Sequence, residues 1–71
     1  MPEIYVYAIE GRTVDQKRAL VQDITAAMVK HFQVPAEAVM VQILESPRHN
    51  KAKGGVLFSE RPARPPNVPK N

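Results

Sequence analysis

The chain has 71 residues and a mass of 7.9 kDa, enough for one small hydrophobic core and too little for a second. Apolar residues make up 44% and charged residues 24%, an ordinary globular mix. The absence of cysteine excludes disulfides, thiolate metal sites, iron–sulfur clusters and cysteine nucleophiles. The net charge of +3 is unevenly spread: residues 1–47 sum to −2 and residues 48–71 to +5, with Glu60 the one acid of the basic end. Such an end calls for an anion, whether a small acid, a nucleic acid or solvent counterions. Apolar runs are too short for a spanning helix, and no basic segment precedes an apolar block at the start. The expectation is a cytoplasmic protein with no membrane contact.

Residues 2–9 (PEIYVYAI) are β-branched and aromatic and end at Glu10-Gly11, which predicts a strand with Ile4, Val6 and Ala8 on one face and Tyr5, Tyr7 and Ile9 on the other. Thr13-Val14-Asp15-Gln16 fits a capping box and opens a helix. Its apolar stripe is read as Leu20, Val21, Ile24, Ala27, Met28 and Phe32, with Val29 outside it, either exposed or touching another chain. Pro35 starts a short helical turn. The period then becomes two: Val39, Val41 and Ile43 oppose Met40, Gln42 and Leu44 in a strand that stops before Ser46-Pro47. Glu10 and Glu45 are read as solvated carboxylates at the strand ends.

Strand, helix, strand with this spacing predicts an α/β fold, a β-α-β unit whose strands are parallel with a right-handed crossover. One helix covers one sheet face. The second face, carrying tyrosines from one strand and Met40 and Leu44 from the other, requires another subunit, as does the stability of so short a chain without disulfides. Residues 48–55 form a cationic turn ending in Gly54-Gly55, and Val56–Ser59 a short final strand or a clip onto a neighbour. This divides the chain into a domain over residues 1–61 and a proline-rich extended tail over residues 62–71.

Catalytic patterns are sparse. No serine elbow, phosphate loop or metal-spaced histidine pair occurs; His31 and His49 are given structural or solvent roles, and no metal or other cofactor is expected. What remains is Pro2. Initiator methionine is removed before small residues, which would leave Pro2 as a secondary amine on a rigid strand. An α-amino group titrates near 8 and becomes a base at neutral pH when burial and nearby cations disfavour its charged form. Arg12 and the loop from Arg48 to Lys53 are the candidate cations.

Pro2, Glu10-Gly11-Arg12-Thr13 with Gln16-Lys17, Pro35-Ala36-Glu37-Ala38-Val39 and Gly54-Gly55 together resemble the 4-oxalocrotonate tautomerase family over residues 2 to about 58. The resemblance implies a hexamer built as a trimer of dimers, homomeric or mixed with a second chain, with helix-free sheet faces inside. It also implies keto–enol tautomerisation of a 2-oxo or 2-hydroxy-dienoic acid, a chemistry of aromatic-compound degradation. In it Pro2 is the general base and acid, and Arg12 binds a substrate carboxylate. Two departures bear on substrate: Met40 stands where the family has a second arginine, and Lys51 and Lys53 stand where it has an aromatic and an aliphatic residue. The expectation is that Lys51 and Lys53, with Arg48, take over anion binding beside Met40. Two alternatives remain open. One is hydration or dehalogenation of unsaturated acids by the same proline; the other is a non-catalytic basic oligomer that binds polyanions. Nucleic acid is disfavoured because Phe58 is the one aromatic of the basic half and no recognised module is present.

Overall fold

A computed structural model describes residues 1–61; the proline-rich tail assigned to residues 62–71 lies outside them. The alternating segment at the N-terminus forms strand β1, Glu3–Ile9, and the second such segment forms β2, Met40–Ser46. They pair in parallel with Glu3 opposite Met40, Val6 opposite Ile43 and Ile9 opposite Ser46. Helix α1, Val14–Phe32, makes the crossover between them. The result is the β-α-β unit expected from the change of hydrophobic period.

The helix starts where its capping chemistry dictates. Thr13 Oγ1 accepts from the Gln16 backbone N–H at 3.1 Å, and the Gln16 side chain accepts from the Thr13 N–H at 2.8 Å, so two orphan donors of the first turn are satisfied. It ends at Gln33, in the left-handed region at φ 55°, whose N–H donates to the Val29 carbonyl at 3.1 Å. A 3-10 turn over Ala36–Ala38, with Pro35 at its cap, feeds β2.

The helix face against the sheet keeps Val21, Ile24 and Met28 of the expected stripe and departs from it elsewhere. Lys17, Val21, Ile24, Thr25 and Met28 are half-buried, whereas Ala27 is exposed, Leu20 is 41% exposed and Phe32 63% exposed. A sheet only two strands wide supports a narrow seam, and the spacing 17, 21, 24, 28 follows one such seam along α1. Val29 lies outside it, beside Val21, Ala26 and Ala36 around a shallow surface groove of about 500 Å³.

The cationic turn is more ordered than its composition predicts. After a 3-10 turn over Arg48–Asn50, strands β3 (Ala52–Lys53) and β4 (Val56–Leu57) form an antiparallel hairpin, followed by a 3-10 turn over Phe58–Glu60. Gly54 and Gly55 take φ of +61° and +81°, the two consecutive positive values that a tight hairpin turn needs.

No described residue is fully buried in the single chain. On the sheet face away from α1, Tyr5 is 51%, Tyr7 73% and Met40 54% exposed. No described helix is long and apolar enough to cross a membrane.

Candidate functional site

Pro2 sits half-buried at the head of β1, and its carbonyl accepts from the Met40 N–H at 3.0 Å. This bond continues the ladder one step past the Glu3–Met40 pair, so the proline backbone is held by the sheet on its C-terminal side. Glu3 follows directly. Its Oε1 accepts from the Tyr5 hydroxyl at 2.8 Å on the helix-free face. That hydrogen bond, with the carboxylate charge behind it, holds the Tyr5 phenol above its ordinary pKa.

Arg12 occupies the other end of β1. At about 3.3 Å per residue, the strand carries the chain roughly 25 Å between Pro2 and Glu10. There the Glu10 N–H closes the ladder on the Ser46 carbonyl at 3.0 Å, and the Arg12 guanidinium donates through Nη1 to the Ile9 carbonyl at 3.2 Å. The Thr13 cap immediately after Arg12 fixes its backbone. A concavity of about 200 Å³ opens here between sheet and helix, with Arg12, Lys17 and Glu45 at its polar rim and Val6, Ala8 and Ile43 among its apolar walls. Glu45 is therefore not the solvated partner of Glu10 expected from sequence. It faces α1 and pairs with Lys17.

Arg48, Lys51 and Lys53 follow the C-terminal end of β2, also away from Pro2. Arg48 Nη2 donates to the Phe58 carbonyl at 3.3 Å, so its guanidinium braces the hairpin. Lys51 and Lys53 contribute backbone: the Lys51 carbonyl accepts from the Phe58 N–H at 2.8 Å and the Lys53 carbonyl from Arg61 Nη2 at 2.7 Å. The Arg61 guanidinium also lies 5.6 Å from the Phe58 ring centroid. Arg61 was not singled out from sequence. Nothing in its local pattern marks it, because its partners are a ring three residues back and a carbonyl across the glycine turn.

Of the residues selected from sequence, one chain thus brings Pro2 and Met40 together and gathers Arg12, Arg48, Lys51 and Lys53 beyond the opposite strand ends. A cation beside Pro2 was expected within this set, and the parallel topology prevents it inside one chain: both strands start at the proline end and finish at the basic end. Among the described residues no group of three His, Asp or Glu side chains is placed to hold a metal ion.

Comparison with known proteins gives this arrangement its context. Residues 2–61 match the family model described as tautomerase enzyme. A probable tautomerase of Bradyrhizobium diazoefficiens is 52% identical over 63 residues, 89% of this chain and 94% of that protein. A 2-hydroxymuconate tautomerase of a Pseudomonas species (strain CF600) is 40% identical over 55 residues, 78% of this chain and 87% of its own length. The crystal structure of a 4-oxalocrotonate tautomerase homologue superposes with a TM-score of 0.83 at 36% identity, covering 89% of this chain and all of that one. A heterohexamer 4-oxalocrotonate tautomerase from Chloroflexus aurantiacus superposes with a TM-score of 0.77 at 32% identity, covering 84% and 97%. With sequence and backbone matching along nearly the whole of both partners, the chain belongs to the tautomerase family of enzymes, and its β-α-β unit is the tautomerase fold.

Proposed function

We propose that this chain catalyses keto–enol tautomerisation of a 2-oxo or 2-hydroxy-dienoic acid, with Pro2, freed by removal of Met1, as general base and acid. The neutral amine takes the hydroxyl proton of the dienol. The electron pair of the broken O–H bond forms the ketone, the conjugated electrons shift, and the ammonium returns its proton to carbon at the far end of the system. A C–H bond replaces an O–H bond and the enzyme ends in its starting state. Arg12 holds the substrate carboxylate by charge-assisted hydrogen bonds. The neighbour of Pro2 in β2 is the uncharged Met40, which favours a substrate whose anionic groups lie on one side of the reacting carbons.

The observation that carries this reading is the separation of Pro2 from Arg12 along β1 in a family member whose second sheet face is uncovered. A site containing both residues is assembled from different subunits, and the exposed Tyr5, Tyr7 and Met40 supply the apolar face for that association. The resemblance and the hexameric relative support a hexamer, homomeric or mixed.

The test has two stages. The intact mass of the cell-made protein should lack Met1, and Pro2→Ala should lose most of the turnover of a 2-hydroxy-dienoic acid. Pro2→Ala and Arg12→Ala chains, each impaired on its own, should when unfolded together and refolded as mixtures turn over more substrate than the two do separately, since some sites combine an intact Pro2 with an intact Arg12. Retained Met1 would remove the base, and a mixture no more active than the sum of its components would remove the shared site.

A further inference from the structure

The residue that follows the proposed base is an acid, which is electrostatically the wrong neighbour. A carboxylate close to an amine stabilises its ammonium form and raises its pKa, so it withdraws the neutral amine that proton abstraction needs. A flexible glutamate next in sequence has the reach to come within about 4 to 6 Å of that amine, the range in which opposite charges shift titrations strongly. In this structure the carboxylate is engaged by another group. Glu3 Oε1 accepts from the hydroxyl of Tyr5, two residues further along the same strand face, at 2.8 Å.

Resting on the reading of Pro2 as the base, we propose that Tyr5 is a positioning residue for that base, holding the Glu3 carboxylate along β1 and away from the Pro2 nitrogen so that the amine stays neutral at working pH. The geometry suits the task. Strand residues two apart share a face and lie about 7 Å apart, so the Tyr5 hydroxyl can reach the Glu3 carboxylate and hold it in a bond on the strand face, where a free glutamate could fold back on the chain start. The other titratable groups at this end of the molecule are Glu37, in the turn before β2, and Lys30 and His31, in the last turn of α1, all three exposed. The adjoining strand presents Met40 and Gln42, which carry no charge. Glu3 is therefore the anion with the shortest covalent path to the amine, and Tyr5 the group that controls it. Because the phenol titrates above its ordinary range, it remains a donor throughout the pH range in which an α-amine changes state. Covering of this face by a second subunit would lower the local dielectric and strengthen the pair.

The experiment is an NMR titration of the isotope-labelled Pro2 amine, run beside the acidic limb of the kcat/KM profile, in wild type, Tyr5→Phe, Glu3→Gln and the double variant. Tyr5→Phe keeps the ring and loses the hydroxyl; it should raise the Pro2 pKa by about half a unit or more and move the acidic limb upward by the same amount. In the Glu3→Gln background the same substitution should have no effect, because the charge it releases is gone. An unchanged Pro2 pKa in Tyr5→Phe overturns the proposal, as does a shift of equal size in the Glu3→Gln background, which would assign the effect to packing. Retention of Met1 overturns it together with the base reading. An amine that titrates as described in an enzyme whose turnover survives Pro2→Ala would instead overturn the base reading alone and leave the control of the amine by Tyr5 standing.

Discussion

Lys17 Nζ lies 2.5 Å from Glu45 Oε1, joining the first turn of α1 to the last part of β2 across 28 positions of sequence. Their side chains retain 31% and 27% exposure, so the pair is partly shielded from solvent. It also borders the concavity that carries Arg12. Lys17→Met should lower stability by about 1 kcal/mol, the upper end for a pair that still touches solvent. Glu45→Gln should cost a similar amount, and a double-mutant cycle in urea should show the two losses to be non-additive.

Thr13→Ala removes a helix cap adjacent to Arg12. The expected loss is about 1 kcal/mol of stability, measurable as a lower urea midpoint with an unchanged slope. A fall in kcat/KM should accompany it, because the cap fixes the backbone from which the guanidinium projects. Thr13→Ser, which keeps the acceptor, should preserve both.

Arg12→Ala should leave the fold nearly intact, since the side chain makes one hydrogen bond, to the Ile9 carbonyl. A charge-assisted contact is worth about 1.5 to 3 kcal/mol, so kcat/KM for an acid substrate should fall about ten- to a hundredfold. Steady-state kinetics on an acid and on a neutral ketone would show whether the loss is confined to the acid.

Lys51 and Lys53 can be replaced without touching the hydrogen bonds that hold the hairpin, because these residues take part through their backbones. The Lys51→Ala, Lys53→Ala double variant should keep its thermal transition and weaken binding of acids more than of neutral ketones. If acids and ketones are affected alike, the anion site is confined to Arg12 and its surroundings. Arg61→Ala is the contrasting case: it loses the Lys53 carbonyl and the Phe58 ring together and should loosen the hairpin.

Glu3→Gln should bring the Tyr5 phenol back toward the ordinary tyrosine range, since the raised value comes first from the hydrogen bond to Glu3 and then from its charge. An ultraviolet titration resolves this as the earlier ionisation of one of the two tyrosines. The sign is fixed by linkage. A folded-state pKa above the unfolded one favours the native state below the unfolded value, and this contribution is lost as pH rises through the folded value.

The β-α-β unit was legible because three independent signals agreed on it: the period of two at Ile4 to Ala8, the capping box at Thr13, and the return to a period of two at Val39. The hairpin was legible in its Gly54-Gly55 turn and its second arm from Val56; its first arm was not, because a strand of two residues such as Ala52–Lys53 carries no periodicity, and the ties from Arg48 and Arg61 run to carbonyls, which no side-chain pattern announces. The helix stripe was right at Val21, Ile24 and Met28 and incomplete at Lys17, whose aliphatic stem and ion pair share the sheet-facing side with Leu20. Pro2 and Arg12 could be nominated from sequence as residues of one chemistry. Their placement at opposite ends of β1 follows from counting the strand between them.

That none of the described residues is fully buried in the single chain also bears on the protein's lifetime. A lone chain has a half-covered sheet and a narrow helix seam to keep its amides from solvent, so its opening free energy is small throughout and proteases meet it nearly unprotected. Stability then depends on how much of the chain is associated, and the thermal midpoint should climb with protein concentration, which a dilution series of melting curves would record. Under that reading, newly made copies that find no partner should be cleared first, and a surplus of unmatched subunits should correct itself by turnover.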